Sequence, residues 1–400
     1  MSVPPSPEAG ALARLIDPLP RAAFFERHWE REPLHVARGR AAHFADLVSI
    51  DAVERALSRG EPRHPDVQLV RGGAPVPPES YTDASGRVLG PRAAHHHRGG
   101  ATLVLSGAHR AFDPLAELVR GLGQELGWRC QANAYLSPPG EGGFAPHHDT
   151  HDVFVLQVAG AKRFRFHTGG VDLPFPDERY DPALAPEREA LESVELEAGD
   201  TLYIPRGVAH DAVAGGHASS LHVTVGVFPA VLRDLLVEAV QVAAEGDVAL
   251  RRSVPREAWE SGDGRLGPAL VETLRGALEA ALAGGAAERA LVRLRDAATL
   301  DAVPDATGSL ALAETGDPPA PETDTVLVAD PHTRAERSGD TVRLRRPGEV
   351  IELAEPAASA AEDLFARGRV AVGALAGLEP HRARSLAARL LALGACRAER

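Results

Sequence analysis

Lysine is almost missing from this chain. Lys162 is the only one among 400 residues, and arginine supplies the rest of a Lys+Arg total of 43. GC-rich coding accounts for most of that bias, and it makes the exception conspicuous. Cysteine is scarce as well. Cys130 and Cys396 have no partners at zinc-ligand spacing, which excludes a disulfide framework or cysteine-rich zinc module and points to a reducing, cytoplasmic setting. No apolar run is long enough to cross a membrane, and the opening MSVPPSPEAG lacks the basic and apolar regions of a secretory signal. Positive charge is in deficit, with a net charge of −13, which disfavours broad affinity for nucleic acid. The hydrophobic share of 44% and charged share of 25% are those of a globular protein with room for two or three domains.

Periodicity divides the chain. Residues 12–60 are mixed, with a helical patch before an extended PLHV. Residues 60–100 are rich in Pro, Gly and His and read as loops with short strands, so His95, His96 and His97 are expected on an exposed loop rather than at a metal. ATLVLSG at 101–107 is strand-like, and Leu115, Leu118, Val119 and Leu122 recur at helical spacing. From 130 to 228 the period becomes that of strands: CQANAYLS, DVFVLQVAG, KRFRFH, DTLYIP and SLHVTVGVF, separated by Gly/Pro turns. Short strands without intervening helices predict an antiparallel sandwich or barrel. The acidic, Pro-rich stretch 169–200 reads as an insertion between strands.

After Pro229 the pattern turns helical, and Leu270, Leu274, Leu278 and Leu282 repeat at four, the apolar face of a bundle suited to a dimer contact. The expected divisions are a β domain over 12–230, a helical domain over 231–301, a linker over 302–324 and a winged-helix-like domain over 325–400. Gly394 stands where the cap of the last helix belongs.

The chemistry concentrates between His147 and His210. In HHDTHDVF, strand parity sends His147 and Asp149 one way and His148 the other. A third ligand is expected from His210, 63 residues after His147, aimed inward by the Pro205–Gly207 turn. Two histidines and a carboxylate on one face form the facial triad of non-haem Fe(II) oxygenases, which leaves positions for oxygen and a bidentate 2-oxo acid. His148, His151 and His167 read as surface or supporting groups, and Asp152 and His151 as hydrogen-bonding neighbours rather than ligands. Lys162 shares parity with Phe164 and Phe166, so it enters the barrel while Arg163 and Arg165 face solvent. A buried lysine needs an anion, and 2-oxoglutarate would supply one. Asn133 shares a face with Tyr135, and Thr224 shares one with His222. Asn133 and Thr224 are taken as further co-substrate contacts.

Three stretches together, NAYLSPPGEGGFAPHHDTHDVFVLQVAGAKRFRFH, GDTLYIPRGVAHDA and SLHVTVGVF, resemble the JmjC ribosomal-oxygenase group, also called cupin-4 proteins. FFERHWEREPLHV is similar to that group's opening segment, and the resemblance spans about residues 12–230. It implies a double-stranded β-helix, Fe(II), 2-oxoglutarate and O2. It places metal ligation on His147, Asp149 and His210, and co-substrate binding on Lys162 and Asn133. It further implies hydroxylation of a His or Arg side chain of a ribosomal protein, a homodimer through the helical domain, and a terminal winged helix that does not read DNA. Gly226 departs from the group, where a polar residue often stands near the co-substrate.

Other readings of the same residues differ in substrate or class. A small-molecule or peptide tailoring oxygenase would use the same site, and N-methyl-lysine demethylation would use the same chemistry. A non-catalytic cupin would bind a partner or DNA through Arg343, Arg345 and Arg346, against the alternative that these arginines decorate a solvated hairpin.

Overall fold

The computed structural model describes residues 10–59, 61–181, 190–260, 266–283, 285–300, 302 and 321–399. The chain divides into two units, one through Phe228 and one from Pro229. In the first, α1 (Ala11–Ile16) and α2 (Arg21–Arg27) lead into β1 (Leu34–Val36). α3 (Ile50–Arg59), β2 (Val67–Arg71), β3 (Ala74–Pro75), α4 (Gly90–Arg98), β4 (Thr102–Leu105) and α5 (Asp113–Leu126) follow. Seven strands complete the unit: β5 (Arg129–Ser137), β6 (Asp152–Ala159), β7 (Ala161–His167), β8 (Ala190–Glu197), β9 (Thr201–Ile204), β10 (His210–Gly215) and β11 (Ser220–Phe228).

These strands form two antiparallel sheets. The larger has the order β1-β9-β6-β11-β5-β4-β2-β3, and the smaller β10-β7-β8. The sandwich expected from the strand periods is therefore a double-stranded β-helix of the cupin kind. Alternation decides which side chains go where. On β11, Leu221, Val223, Val225 and Val227 are fully buried and pack with Leu115, Leu118, Val119 and Leu122 of α5 in the main core. The opposite face of the large sheet meets the small one, and Val153, Val155, Phe164, Phe166, Leu196, Leu202 and Ile204 close that gap. This seals one part of the interior and leaves the remainder for polar groups.

Three local expectations are corrected. His147 and Asp149 do not lie on a regular strand, since β6 begins only at Asp152 and His147 joins His210 through an isolated bridge. The histidine run is not a loop: it forms the last turn of α4, which Pro91 starts and the buried Ala93 anchors. The 169–200 insertion ends in β8, paired with β7; residues 182–189 lie outside the described residues.

The second unit begins with α6 (Leu232–Gly246), α7 (Arg256–Glu260), α8 (Pro268–Leu282) and α9 (Ala286–Leu300). Its helical seam is built from small residues: Ala239, Val242, Ala281, Ala286 and Ala290. Leu274, Leu278 and Leu282 face outward and are exposed. Small strands β12 (Val326–Ala329), β13 (Arg334–Ser338), β14 (Thr341–Arg346), β15 (Glu349–Ala354), β16 (Arg369–Ala371) and β17 (Cys396–Ala398) surround α10 (Ala357–Arg367) and α11 (Pro380–Ala392) in a second core. The residue after the α11 cap, Gly394, has φ +67° as that position demands. Most of the expected linker, 303–320, lies outside the described residues. Among the described residues, no helix is long and apolar enough to cross a membrane.

The three arginines of the expected basic wing are engaged by acids. Arg343 pairs with Asp296 and Glu352, the buried Arg345 with Asp296 and Glu336, and Arg346 with Glu349. That charge is paired within the fold.

Candidate functional site

The interior between the two sheets holds a cavity of about 530 Å³, and all six residues named from sequence line it: His147, Asp149, His210, Lys162, Asn133 and Thr224. Two backbone hydrogen bonds between His147 and His210, of 3.0 and 2.7 Å, bring their segments together. The turn before β10 adds a third tie, Gly207 N–H to the Asp149 carbonyl at 2.9 Å. Gly207 has φ +87°, and a Cβ there would strike the Val171 carbonyl, so the turn requires glycine.

One ligand atom from each of His147, Asp149 and His210 lies within 4.8 Å of the other two. His210 Nε2 is 3.7 Å from an Asp149 oxygen, and the two imidazole centroids are 4.7 Å apart. Each histidine also turns Nδ1 to a carbonyl at 2.9 Å, Ala145 for His147 and Val208 for His210. A carbonyl only accepts, so Nδ1 carries the proton and Nε2 keeps its lone pair toward the cluster, the arrangement a metal-binding histidine needs. Burial, reinforced by His147, pushes His210 down to about 4. Burial acts to raise Asp149, but the four histidines His210, His151, His147 and His148 outweigh it and hold the carboxyl below its usual range. One carboxylate and two imidazoles converge, and this donor set fits a divalent first-row metal.

Lys162 stands on the inner face of β7, 2% exposed. Its Nζ donates to Ser137 Oγ at 3.0 Å, and no carboxylate pairs with it among the described residues. Burial pulls its pKa down to about 7. An ammonium this deep with only a hydroxyl partner is the counterpart of an anion. The expected parity holds: Phe164 and Phe166 are buried beside it, while Arg163 and Arg165 turn out to Glu195 and Asp211.

The facing wall comes from β5 and β11, where register sets Asn133 opposite Thr224 and Tyr135 opposite His222. Tyr135 stacks on His222 at 4.8 Å and hydrogen-bonds the Thr224 and Asn133 side chains. The Asn133 side-chain oxygen accepts from the Gly107 N–H at 2.9 Å. Sequence reasoning noted the faces of Tyr135 and His222 without assigning them a role, and it missed Ser137. The parity signal that found Asn133 and Thr224 also covers Tyr135 and His222. Ser137 shares that parity at the end of the same strand, but its contact with Lys162 depends on how the sheets face one another. Phe144, Arg179 and Tyr180 also line the cavity, and the last two belong to the insertion. Of the neighbours, His151 lines the cavity, whereas Asp152 turns away to Arg206 and Tyr203. His148 is buried against Tyr180 and the Glu178 carbonyl.

Residues 110–235 match the family model described as the JmjC domain. The chain carries a JmjC domain. Over 262 residues it is 32% identical to the bifunctional lysine-specific demethylase and histidyl-hydroxylase NO66 of Drosophila grimshawi, covering 62% of this chain and 35% of that protein. It is 33% identical over 255 residues to ribosomal oxygenase 1 of Gallus gallus, covering 61% and 41%. The match thus spans well under half the length of these curated relatives. The Escherichia coli ribosomal oxygenase YcfD has the same fold, with a TM-score of 0.55 at 22% identity over 95% of this chain and 98% of YcfD. A YcfD structure in complex with cobalt and 2-oxoglutarate gives the same TM-score and identity over 96% and 99%. The JmjC domain contains all six residues of the candidate site.

Proposed function

We propose that this protein is an Fe(II)- and 2-oxoglutarate-dependent oxygenase that hydroxylates a His or Arg side chain of a protein, and that the target is ribosomal. The observation that carries the reading is the pairing, in one cavity, of the His147–Asp149–His210 cluster with the buried Lys162, whose one hydrogen-bond partner among the described residues is a hydroxyl. A structural metal site would need the first and have no use for the second. The relatives named above as histidyl-hydroxylase and ribosomal oxygenases support the substrate class.

In this reading His147, Asp149 and His210 hold Fe(II), and Lys162 holds the distal carboxylate of 2-oxoglutarate with Asn133 and Thr224 beside it. The bound iron, with 2-oxoglutarate and O2, supplies the oxidising power to convert a C–H bond to C–OH with release of succinate and CO2. The protein's own contribution is placement. The Ala145 and Val208 carbonyls fix the imidazole tautomers. The Tyr135–Thr224–Asn133 hydrogen bonds present a rigid polar wall. Val153, Val155 and Phe164 narrow the interior and exclude water. The exposed Leu274, Leu278 and Leu282 ridge of α8 forms a homodimer contact, and the enzyme works in the cytoplasm.

The test is succinate release by purified protein supplied with Fe(II), 2-oxoglutarate and ribosomal proteins. Turnover lost in His147→Ala is expected; His147→Ala matching the wild type would sink the reading.

A further inference from the structure

Gly226 does not need to be glycine for its own backbone, since its φ is not left-handed. It needs to be glycine for His151. A Cβ at 226 would lie 2.7 Å from Cδ2 and 2.8 Å from Nε2 of the His151 ring, and 3.3 Å from Phe228. Contacts under 3.0 Å between such atoms are not tolerated, so a side chain here would evict the imidazole or move β11. The space that glycine leaves on β11 is filled by a ring arriving from the segment before β6.

That ring is held in a fixed plane. It stacks on Phe228 with centroids 4.4 Å apart and planes 14° apart. The Arg129 guanidinium lies 3.8 Å from the Phe228 centroid, and Arg129 and Phe228 are register partners across β5 and β11. Stacking and a cation over a ring each favour one orientation. His151 lines the cavity two residues from Asp149. Its ring nitrogens have no hydrogen-bond partner among the described residues. Of the other histidines lining the cavity, His147 and His210 belong to the metal cluster, and His222 stacks on Tyr135 at the Lys162 end with a buried Nδ1 that has no hydrogen-bond partner among the described residues. His151 is thus a rigid polar edge, free to bond, on the metal side of the cavity.

We propose that His151, seated by Gly226 and Phe228, is the specificity-determining contact for the target side chain, to which it hydrogen-bonds as the target enters beside the metal cluster. This rests on the oxygenase reading above and assigns it a residue on the substrate side. An imidazole offers a donor and an acceptor, so the contact selects targets that carry a hydrogen-bonding group next to the reacting carbon. A purely aliphatic target would leave His151 buried and unpaired, which costs affinity.

The test uses the full-length protein with ribosomal proteins from a strain lacking the enzyme. His151→Phe keeps a ring on Phe228 and removes the hydrogen bond. Gly226→Ala displaces the ring from the other side. Each is expected to raise KM for the ribosomal substrate roughly tenfold, the scale of one lost hydrogen bond. The affinity of the Co(II)-loaded protein for 2-oxoglutarate, measured by titration, is expected to stay within about twofold. His151→Gln is expected to recover part of the loss. An unchanged KM in His151→Phe overturns the proposal, even if Gly226→Ala fails to fold. A parallel loss of 2-oxoglutarate affinity in His151→Phe also overturns it, since the residue would then serve the co-substrate. If the wild type shows no turnover at all, the oxygenase reading falls and takes this proposal with it.

Discussion

Arg206 Nη1 lies 3.2 Å from Asp152 Oδ2, and this buried pair joins the two segments that carry the metal cluster. Asp152 follows Asp149 by three residues, and Arg206 precedes His210 by four. Tyr203 donates to the other Asp152 oxygen at 2.6 Å, and Glu30 also pairs with Arg206. Arg206→Met would leave two carboxylates without their cation, one of them fully buried, so a loss of about 3–5 kcal/mol is expected. Misplacing the segments behind the ligands is expected to cost about 10–100-fold in metal affinity. Thermal unfolding and Co(II) titration measure the two effects; a variant as stable as the wild type and equally tight for Co(II) would show that the pair does not support the cluster.

Lys162→Met separates binding from stability. Removing a desolvated ammonium that has only Ser137 as a partner among the described residues is expected to leave the ligand-free protein as stable as before, or more so. Affinity for 2-oxoglutarate is expected to fall by at least about tenfold, because the distal carboxylate loses its cation. Thermal melts and 2-oxoglutarate titration of the Co(II)-loaded variant check both.

The same lysine sets a pH dependence. Its folded pKa is near 7, against 10.5 when unperturbed. Between those values the unfolded chain holds a proton that the folded, ligand-free chain has lost, so this group makes the ligand-free protein more stable as pH rises through the interval. Binding a carboxylate favours the ammonium, so 2-oxoglutarate binding at about pH 8, inside that interval, is expected to take up a proton and to weaken with rising pH. Calorimetry in buffers of different ionisation enthalpy reads that proton, and Lys162→Met should abolish it.

The outward leucines of α8 predict assembly. Leu278→Glu places a charge in the middle of the exposed ridge while Ala277 and Ala281 keep the inner packing. Light scattering is expected to show a dimer for the wild type and a monomer for the variant, with an unchanged helical spectrum.

Much of the site was legible because it depends on strand parity and on a turn. Lys162 inward and Arg163 outward follow from alternation alone, whereas Asn133 beside Thr224 is set by the register of β5 against β11. His147 and Asp149 came together by the same rule, although the structure shows an isolated bridge there rather than a strand. Local composition misled where tertiary packing decides. Gly, Pro and His around 95–97 read as loop, but Pro91 is well placed in a first helical turn and Ala93 finds the core. Leucines at every fourth residue of α8 read as a face suited to a dimer contact, but the seam of the bundle itself, which is built from small residues, was not legible. The wing arginines read as either a basic patch or a solvated hairpin, and neither showed their partner, since Asp296, which pairs with two of them, is 47 residues away from Arg343 in sequence. The role of Gly226 was equally hidden, for it is fixed by a ring that arrives from 75 positions earlier.

The most direct test of the central claim is the intact mass of each ribosomal protein from wild-type cells and from cells lacking this gene. One ribosomal protein lighter by a single oxygen atom is expected in the deletion strain, with the mass restored by the wild-type gene and not by its His147→Ala form. Identical masses in all strains would contradict the oxygenase reading.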